Sequence, residues 1–194
     1  MIPQSIVFSH YQTLPLLQAR KEGRSTAAIS LDLGLSQAEV QLTENGVIYL
    51  GGERLDWTQI EEIIASERGC FTIAQGQAVQ IQAFSQQTGR PSSLMPTDGA
   101  PTMLLSGIPM HRFKDTDPHA GTLCKIEALF PVTGQALDTA IGLGYTAIQL
   151  AHRARVITIE FDPPVLEIAR RLKQAGFTRV ESHYEAFGLL VHKD

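Results

Sequence analysis

The segment from residue 135 to residue 146 constrains the fold of this chain more than any other. It reads QALDTAIGLGYT, so a short apolar run ends at an acid and leads into a G-x-G pattern. Two glycines allow a tight turn into a helix, and the start of that helix offers free backbone N–H groups. The pattern therefore predicts a buried strand, a turn at Gly142 and Gly144, and a helix over about residues 146–153.

A second strand with a terminal acid follows this turn. Residues 156–160 are β-branched and apolar, which is typical of a parallel strand buried on both faces. Glu160 follows Gly142 by 18 positions, a spacing that brings an acid to the ribose hydroxyls of a nucleoside bound between the strands. The alternative is a plain strand–helix turn with a solvated strand end. The presence of both Asp138 and Glu160 favours ligand binding.

The kind of ligand is narrowed by Asp138, which immediately precedes the turn. Its charge would repel a pyrophosphate but suits the ammonium group of S-adenosylmethionine. The third glycine of a dinucleotide fingerprint is also absent, because Ala147 stands in its place. These features favour an adenosyl ligand over a dinucleotide.

Residues 135–146 resemble motif I of the class I S-adenosylmethionine-dependent methyltransferases. They are most similar to a predicted methyltransferase family with the signature LDTxxGLGYTA, which is spermidine-synthase-like in outline. Weaker similarity extends over residues 30–36, 107–112, 156–163, 175–180 and 185–188. The resemblance implies a Rossmann-like domain that binds S-adenosylmethionine and transfers its methyl group to an unknown acceptor.

The expected site has a cofactor part and a substrate part. The cofactor part consists of Asp138, Thr139, Gly142, Gly144, Tyr145, Thr146, Glu160 and Asp162. Packing or capping is an equal alternative for Tyr145 and Thr146, and helix capping is the favoured role of Asp162. The loop Met110-His111-Arg112 is the candidate substrate part, with an ordinary loop as the alternative. No catalytic residue is assigned.

The remaining sequence predicts an α/β chain of three parts. Residues 1–86 read as a small α+β module, with a hairpin at Asn45-Gly46 and a helix that Asp56 caps, and Trp57 is expected in its core. Residues 87–106 are rich in glycine and proline and are expected to form a linker or loop. Residues 107–194 are expected to form the Rossmann-like domain.

This Rossmann-like domain is expected to be shortened. Only 59 residues run from Ala136 to Asp194, and a βαβ unit takes about 30 residues, so about two units fit. Residues 178–182 and 187–192 are expected to form a terminal strand pair. If they pair beside the strand at 156–160, the strand at 136–138 becomes an open edge, which favours self-association or a catalytically silent protein.

Two other functions remain open from the sequence. One is a non-catalytic protein that binds an adenosyl ligand or another protein and derives from a methyltransferase. The other is aminopropyl transfer, which is disfavoured because no acidic pair for a polyamine stands outside the cofactor region.

Composition restricts the partners. The formal net charge is −4, without a basic stripe, so nucleic-acid binding is not indicated. Two cysteines 54 positions apart and six scattered histidines predict neither a disulfide framework nor a metal site. No stretch approaches the roughly 18 apolar residues of a membrane helix, and no signal sequence is evident, so the sequence favours a cytoplasmic protein without a membrane partner.

Overall fold

The computed structural model describes residues 6–171, 179–183 and 188–192. The protein is a mixed α/β chain with several antiparallel sheets and five helices among these residues. The chain divides into two compact units, the first made of residues 1–81 and 93–101 and the second of residues 82–92 and 102–194. Within the described ranges, no helix is both long and apolar enough to cross a membrane.

The first unit contains two antiparallel sheets and two helices. Its elements are β1 (Val7–Phe8), α1 (His10–Lys21), β2 (Thr26–Ile29), β3 (Ala38–Thr43), β4 (Gly46–Ile48), β5 (Arg54–Asp56), α2 (Trp57–Ala65), β6 (Phe71–Ala74) and β7 (Gln77–Gln80), with a short 3₁₀ turn at Leu50–Gly52. One sheet has the order β2-β3-β4-β5 and the other has the order β1-β6-β7.

Two local predictions in this unit are confirmed. The Asp56 carboxylate accepts a hydrogen bond of 2.8 Å from the Gln59 backbone N–H and caps α2. Strands β3 and β4 form the predicted hairpin, with Thr43 opposite Gly46. Trp57 is buried in the core of the unit, and its indole N–H donates to the carbonyl of Thr43 at 3.1 Å.

The second unit contains the glycine turn and the strands that follow it. Its elements are β8 (Gln82–Ser85), β9 (Arg90–Met95, whose last three residues belong to the first unit), β10 (Thr102–Leu105), β11 (Ile108–Pro109), α3 (Pro118–Ala128), β12 (Gln135–Asp138), α4 (Tyr145–Ala151), β13 (Arg155–Ile159), α5 (Pro163–Arg171), β14 (Arg179–His183) and β15 (Gly188–His192). The sheets have the orders β11-β10-β9-β8 and β12-β13-β15-β14.

The segment 87–106, expected to be a linker, contains strands β9 and β10 instead. Its glycines and prolines are compatible with strands, because Gly89 lies in the turn before β9 and Pro91 needs no N–H at its position. The Pro91 carbonyl still accepts a hydrogen bond of 2.8 Å from the Ser106 N–H. The glycines and prolines of this segment therefore accompany strands and turns, and the chain passes from the second unit to the first at residues 92–93 and back at residues 101–102.

The order strand, glycine turn, helix, strand is confirmed. Strands β12 and β13 are parallel, with Leu137 opposite Ile157, and α4 connects the glycine turn to β13. Helices α3 and α4 pack on one face of this pair through Ile126, Leu150 and Val156. Apolar residues spaced along α4 thus cover the inward side of β13.

The expectation that the strand at 156–160 is buried on both faces is wrong. Val156 is fully buried, but Ile157 is 39% exposed and Leu137 beside it is 62% exposed. The helices described above cover only the face that carries Val156, and successive side chains of a strand point to opposite faces. The sequence composition of the strand did not reveal this difference.

The terminal strand pair is present as β14 and β15, which are antiparallel to each other. Strand β15 pairs antiparallel with β13, so β12 is the edge of its sheet among the described residues. Most of residues 175–180 and 185–188, which carry part of the weaker family similarity, lie outside the described residues.

Candidate functional site

A cavity of about 360 Å³ lies in the second unit. Residues 140–143 and 145–146 of the glycine turn and α4, and residues 160–162 and 165 after β13, form part of its lining. The rest comes from β9, β10, α3 and the segments that adjoin them. Its volume falls in the range of about 300–1,000 Å³ that is usual for small-molecule sites.

The glycine turn leaves its backbone open to the cavity. Gly142 has φ +51° and Gly144 has φ +83°, a left-handed conformation that side chains other than glycine adopt at a cost. A Cβ added to Gly142 would meet no atom within 4 Å. Because Gly142 lines the cavity, a ligand can approach its main chain closely.

Glu160 is held in place by two backbone groups. Its Oε2 accepts a hydrogen bond of 3.2 Å from the Gly142 N–H, and its Oε1 accepts one of 3.0 Å from the Asp162 N–H. A carboxylate offers about four lone-pair sites, so about two remain for a ligand. The side chain is therefore oriented in advance and can still accept from a pair of hydroxyls.

Asp162 brings a buried carboxylate to the same cavity. It is 6% exposed, and its Oδ2 accepts a hydrogen bond of 3.2 Å from the Thr88 hydroxyl. Its Oδ1 is buried without a hydrogen-bond partner in the part of the chain that the structure describes. Such an atom carries a desolvation cost of about 1–3 kcal/mol or more unless a donor reaches it.

The Asp162 carboxylate does not cap a helix in the structure, although the sequence favoured that role. Its backbone carbonyl, rather than its carboxylate, accepts from the N–H groups of Val165 and Leu166 at the start of α5. The carboxylate instead bonds to Thr88, which stands 74 positions earlier in the chain. A sequence pattern detects a local cap but cannot detect this partner.

Three expected cofactor residues, Asp138, Thr139 and Gly144, do not line the cavity, whereas Gly142, Tyr145, Thr146, Glu160 and Asp162 do. Asp138 accepts a hydrogen bond of 2.8 Å from the Thr158 hydroxyl and so links β12 to β13. Burial raises the pKa of Asp138, although hydrogen bonds from Thr158 and the Ala140 backbone oppose that effect.

The expected substrate loop is divided. Met110 and His111 line the cavity, whereas Arg112 does not and donates from Nε to the Lys114 carbonyl at 3.4 Å. Successive residues of an extended loop point in different directions, which separates Arg112 from its neighbours. Arg112 is therefore not part of the site.

His111 is fixed by Thr102. Its Nδ1 lies 3.0 Å from the Thr102 hydroxyl oxygen, which also accepts from the His111 backbone N–H at 3.2 Å. The ring meets that of Tyr145 edge-on at a centroid distance of 5.2 Å. Burial lowers the pKa of His111, and the charge of Lys125 lowers it further, so the ring is neutral at neutral pH.

Sequence reasoning missed the part of the lining that β8–β10 and α3 contribute. The missed residues are Thr88, Arg90, Met103, Leu105, Thr122 and Lys125. No motif connects them, because they stand far from the glycine turn and come together only by sheet pairing. Lys125 is exposed on α3 and also borders the cavity.

The described residues contain no group of three or more His, Cys, Asp or Glu side chains that could hold a metal ion. Cys70 is buried and Cys124 is exposed, and both are free.

No family model matches the sequence. The chain is 51% identical over 72 residues to an uncharacterized protein of Methanocaldococcus jannaschii. The matched part is 36% of this chain and 25% of that protein, so the chain spans about a quarter of the length of the curated relative that it matches. This similarity carries no assignment of activity.

Proposed function

We propose that the cavity binds S-adenosylmethionine and that the protein is a methyltransferase with a Rossmann-like cofactor domain. The observation that carries the proposal is that Glu160 and Asp162 line one cavity, and that Oδ1 of the buried Asp162 has no hydrogen-bond partner among the described residues. Glu160 can accept from two neighbouring hydroxyls, and Asp162 needs a donor such as an amino group. Adenosine offers both, on its ribose and on its base.

The glycine turn fits the other end of the cofactor. Gly142 lines the cavity and leaves space beside the main chain, where an added Cβ would meet no protein atom within 4 Å. Bound S-adenosylmethionine supplies an electrophilic methyl group. The residues of this chain hold and orient it, which is the main contribution of a protein to such chemistry.

A second candidate function is a binding protein without catalysis. The observation that favours it is the position of β12 at the edge of its sheet in the described residues. The resemblance to class I methyltransferases implies that this strand lies inside the sheet, next to the strand that leads to the acceptor side. A protein with this edge open can keep the cofactor cavity and lack ordinary turnover.

Calorimetric titration of the purified protein with S-adenosylmethionine and S-adenosylhomocysteine tests both functions. Binding of either ligand, weakened by a substitution at Glu160 and unaffected by one at the exposed Glu127 of α3, supports a cofactor site at this cavity. Binding of neither ligand overturns both functions. A methyl-transfer assay on pools of acceptors then separates the enzyme from the binding protein.

A further inference from the structure

The cavity contains two cations without an acidic partner. Arg90 of β9 and Lys125 of α3 both line it, and neither forms an ion pair with any residue in the described ranges. Both are exposed, so they border the opening rather than the interior. The acids of the cavity, Glu160 and Asp162, belong to a different segment and take their hydrogen bonds from backbone groups and Thr88.

Apolar side chains contribute to the same cavity. Met103 and Leu105 of β10, together with Met110, line the same cavity. Met103 is only 2% exposed. The cavity therefore combines two cations at its opening with apolar side chains in its lining.

The pKa of His111 depends on the charges in this part of the cavity. Burial lowers the pKa of its ring, and the positive charge of Lys125 lowers it further. The other titratable or charged groups that line the cavity are Arg90, Tyr145, Glu160 and Asp162. A negative group bound near Lys125 would offset the cation and raise the pKa of His111.

We propose that Arg90, Lys125, Met103, Leu105, Met110 and His111 form a second subsite that binds the anionic group of a small organic molecule. The anionic group is a carboxylate or a phosphate, and the apolar side chains accommodate the rest of the molecule. The identification of this molecule as the methyl acceptor rests on the proposed function. The anion site itself rests only on the cations and the cavity.

The test follows the His111 ring by NMR while inorganic phosphate or hexanoate is added to the full chain. We expect a saturable shift and a higher His111 pKa with the anion bound. Lys125→Gln and Arg90→Gln should each weaken anion binding by about threefold to tenfold, as expected for charge-assisted contacts. Arg112→Gln is the matched control, because this exposed cation lies next to His111 in sequence but outside the cavity.

The outcomes separate the subsite from the proposed function. Anion binding that persists in protein saturated with S-adenosylhomocysteine supports a second subsite, and competition between the two ligands overturns it. Equal affinity in wild type and a Lys125→Gln, Arg90→Gln double variant also overturns it. If S-adenosylhomocysteine does not bind but the anion does and depends on both cations, the subsite stands and the proposed function falls. Tighter binding of hexanoate identifies a carboxylate, and tighter binding of phosphate identifies a phosphate.

Discussion

The backbone N–H of Gly142 donates a hydrogen bond of 3.2 Å to Oε2 of Glu160. This contact joins the glycine turn after β12 to the loop after β13, which are the two segments expected to hold a nucleoside. Because the second carboxylate oxygen accepts from the Asp162 N–H, Glu160 organises both segments at once. A substitution there should affect binding through the lost ligand contact and through the lost anchors.

Glu160→Ala should therefore weaken S-adenosylhomocysteine binding by roughly tenfold to a hundredfold. Charge-assisted hydrogen bonds to a pair of hydroxyls are worth about 1.5–3 kcal/mol. Calorimetry measures the change, with Glu127→Ala on the exposed face of α3 as the control. A change below about twofold, with the variant folded, would show that Glu160 only orders the loop.

Gly142→Ala should abolish or strongly weaken cofactor binding, whereas Gly134→Ala should not. Both glycines have positive φ, +51° and +81°, and an added Cβ meets no protein atom within 4 Å at either position. Each substitution should cost about 1 kcal/mol of stability for the same backbone reason. Only Gly142 lines the cavity, so only its new methyl group would occupy ligand space. Equal affinities in the two variants, measured with matched thermal stability, would contradict a close approach to the cofactor.

Asp162→Asn should change the preference between purine bases. The wild-type carboxylate should bind S-adenosylhomocysteine at least about tenfold more tightly than S-inosylhomocysteine, because an oxo group would place an acceptor against Oδ1. The asparagine amide can donate to that oxo group, so the preference should shrink or reverse. Asp115→Asn, an exposed residue outside the cavity lining, is the control. If the ratio of the two affinities is the same in wild type and the Asp162 variant, the base does not bind next to Oδ1.

Stability should decrease as the pH falls below about 6.5 because of His111. Burial and Lys125 hold its folded pKa below the ordinary value of 6.5, so the unfolded chain binds the proton first. The contribution to stability is complete above pH 6.5 and is lost between that value and the folded pKa, with a slope of up to about 1.4 kcal/mol per pH unit. Urea unfolding of wild type and His111→Gln should show a smaller slope for the variant in this window. Parallel pH profiles would argue against a buried neutral ring.

The open edge of β12 predicts self-association. Among the described residues no strand pairs with the outer side of β12, so this side can pair with another strand, and Leu137 exposes 62% of its surface beside it. Leu137→Lys should reduce association, because a charged edge disfavours pairing between copies. Sedimentation at several concentrations measures the effect, with Leu123→Lys on α3 as a control for removing an exposed leucine elsewhere. A wild-type protein that is monomeric at all concentrations would contradict the prediction.

The local order of elements around the site could be predicted from sequence. An apolar run, glycines at 142 and 144, and an apolar spacing in the next helix specify a strand, a turn and a helix through interactions between near neighbours. The helix cap at Asp56 and the hairpin at Asn45-Gly46 could be predicted for the same reason, because each depends on residues within a few positions. Glu160, 18 positions after Gly142, contacts it in the structure, and its expected role toward a ribose stays a prediction.

Tertiary structure alone decided the rest of the site. The bond from Thr88 to Asp162 spans 74 positions, and the entry of Arg90 and Lys125 into the cavity depends on how β9 and α3 pack. Pairing between strands likewise placed β12 at an edge and turned residues 87–106 into hairpin strands. The local sequence determines which backbone conformations have low energy. Long-range strand pairing and burial determine which side chains come into contact. The glycine turn can therefore be predicted from the sequence, whereas the residues that complete its cavity are brought together only when the chain folds.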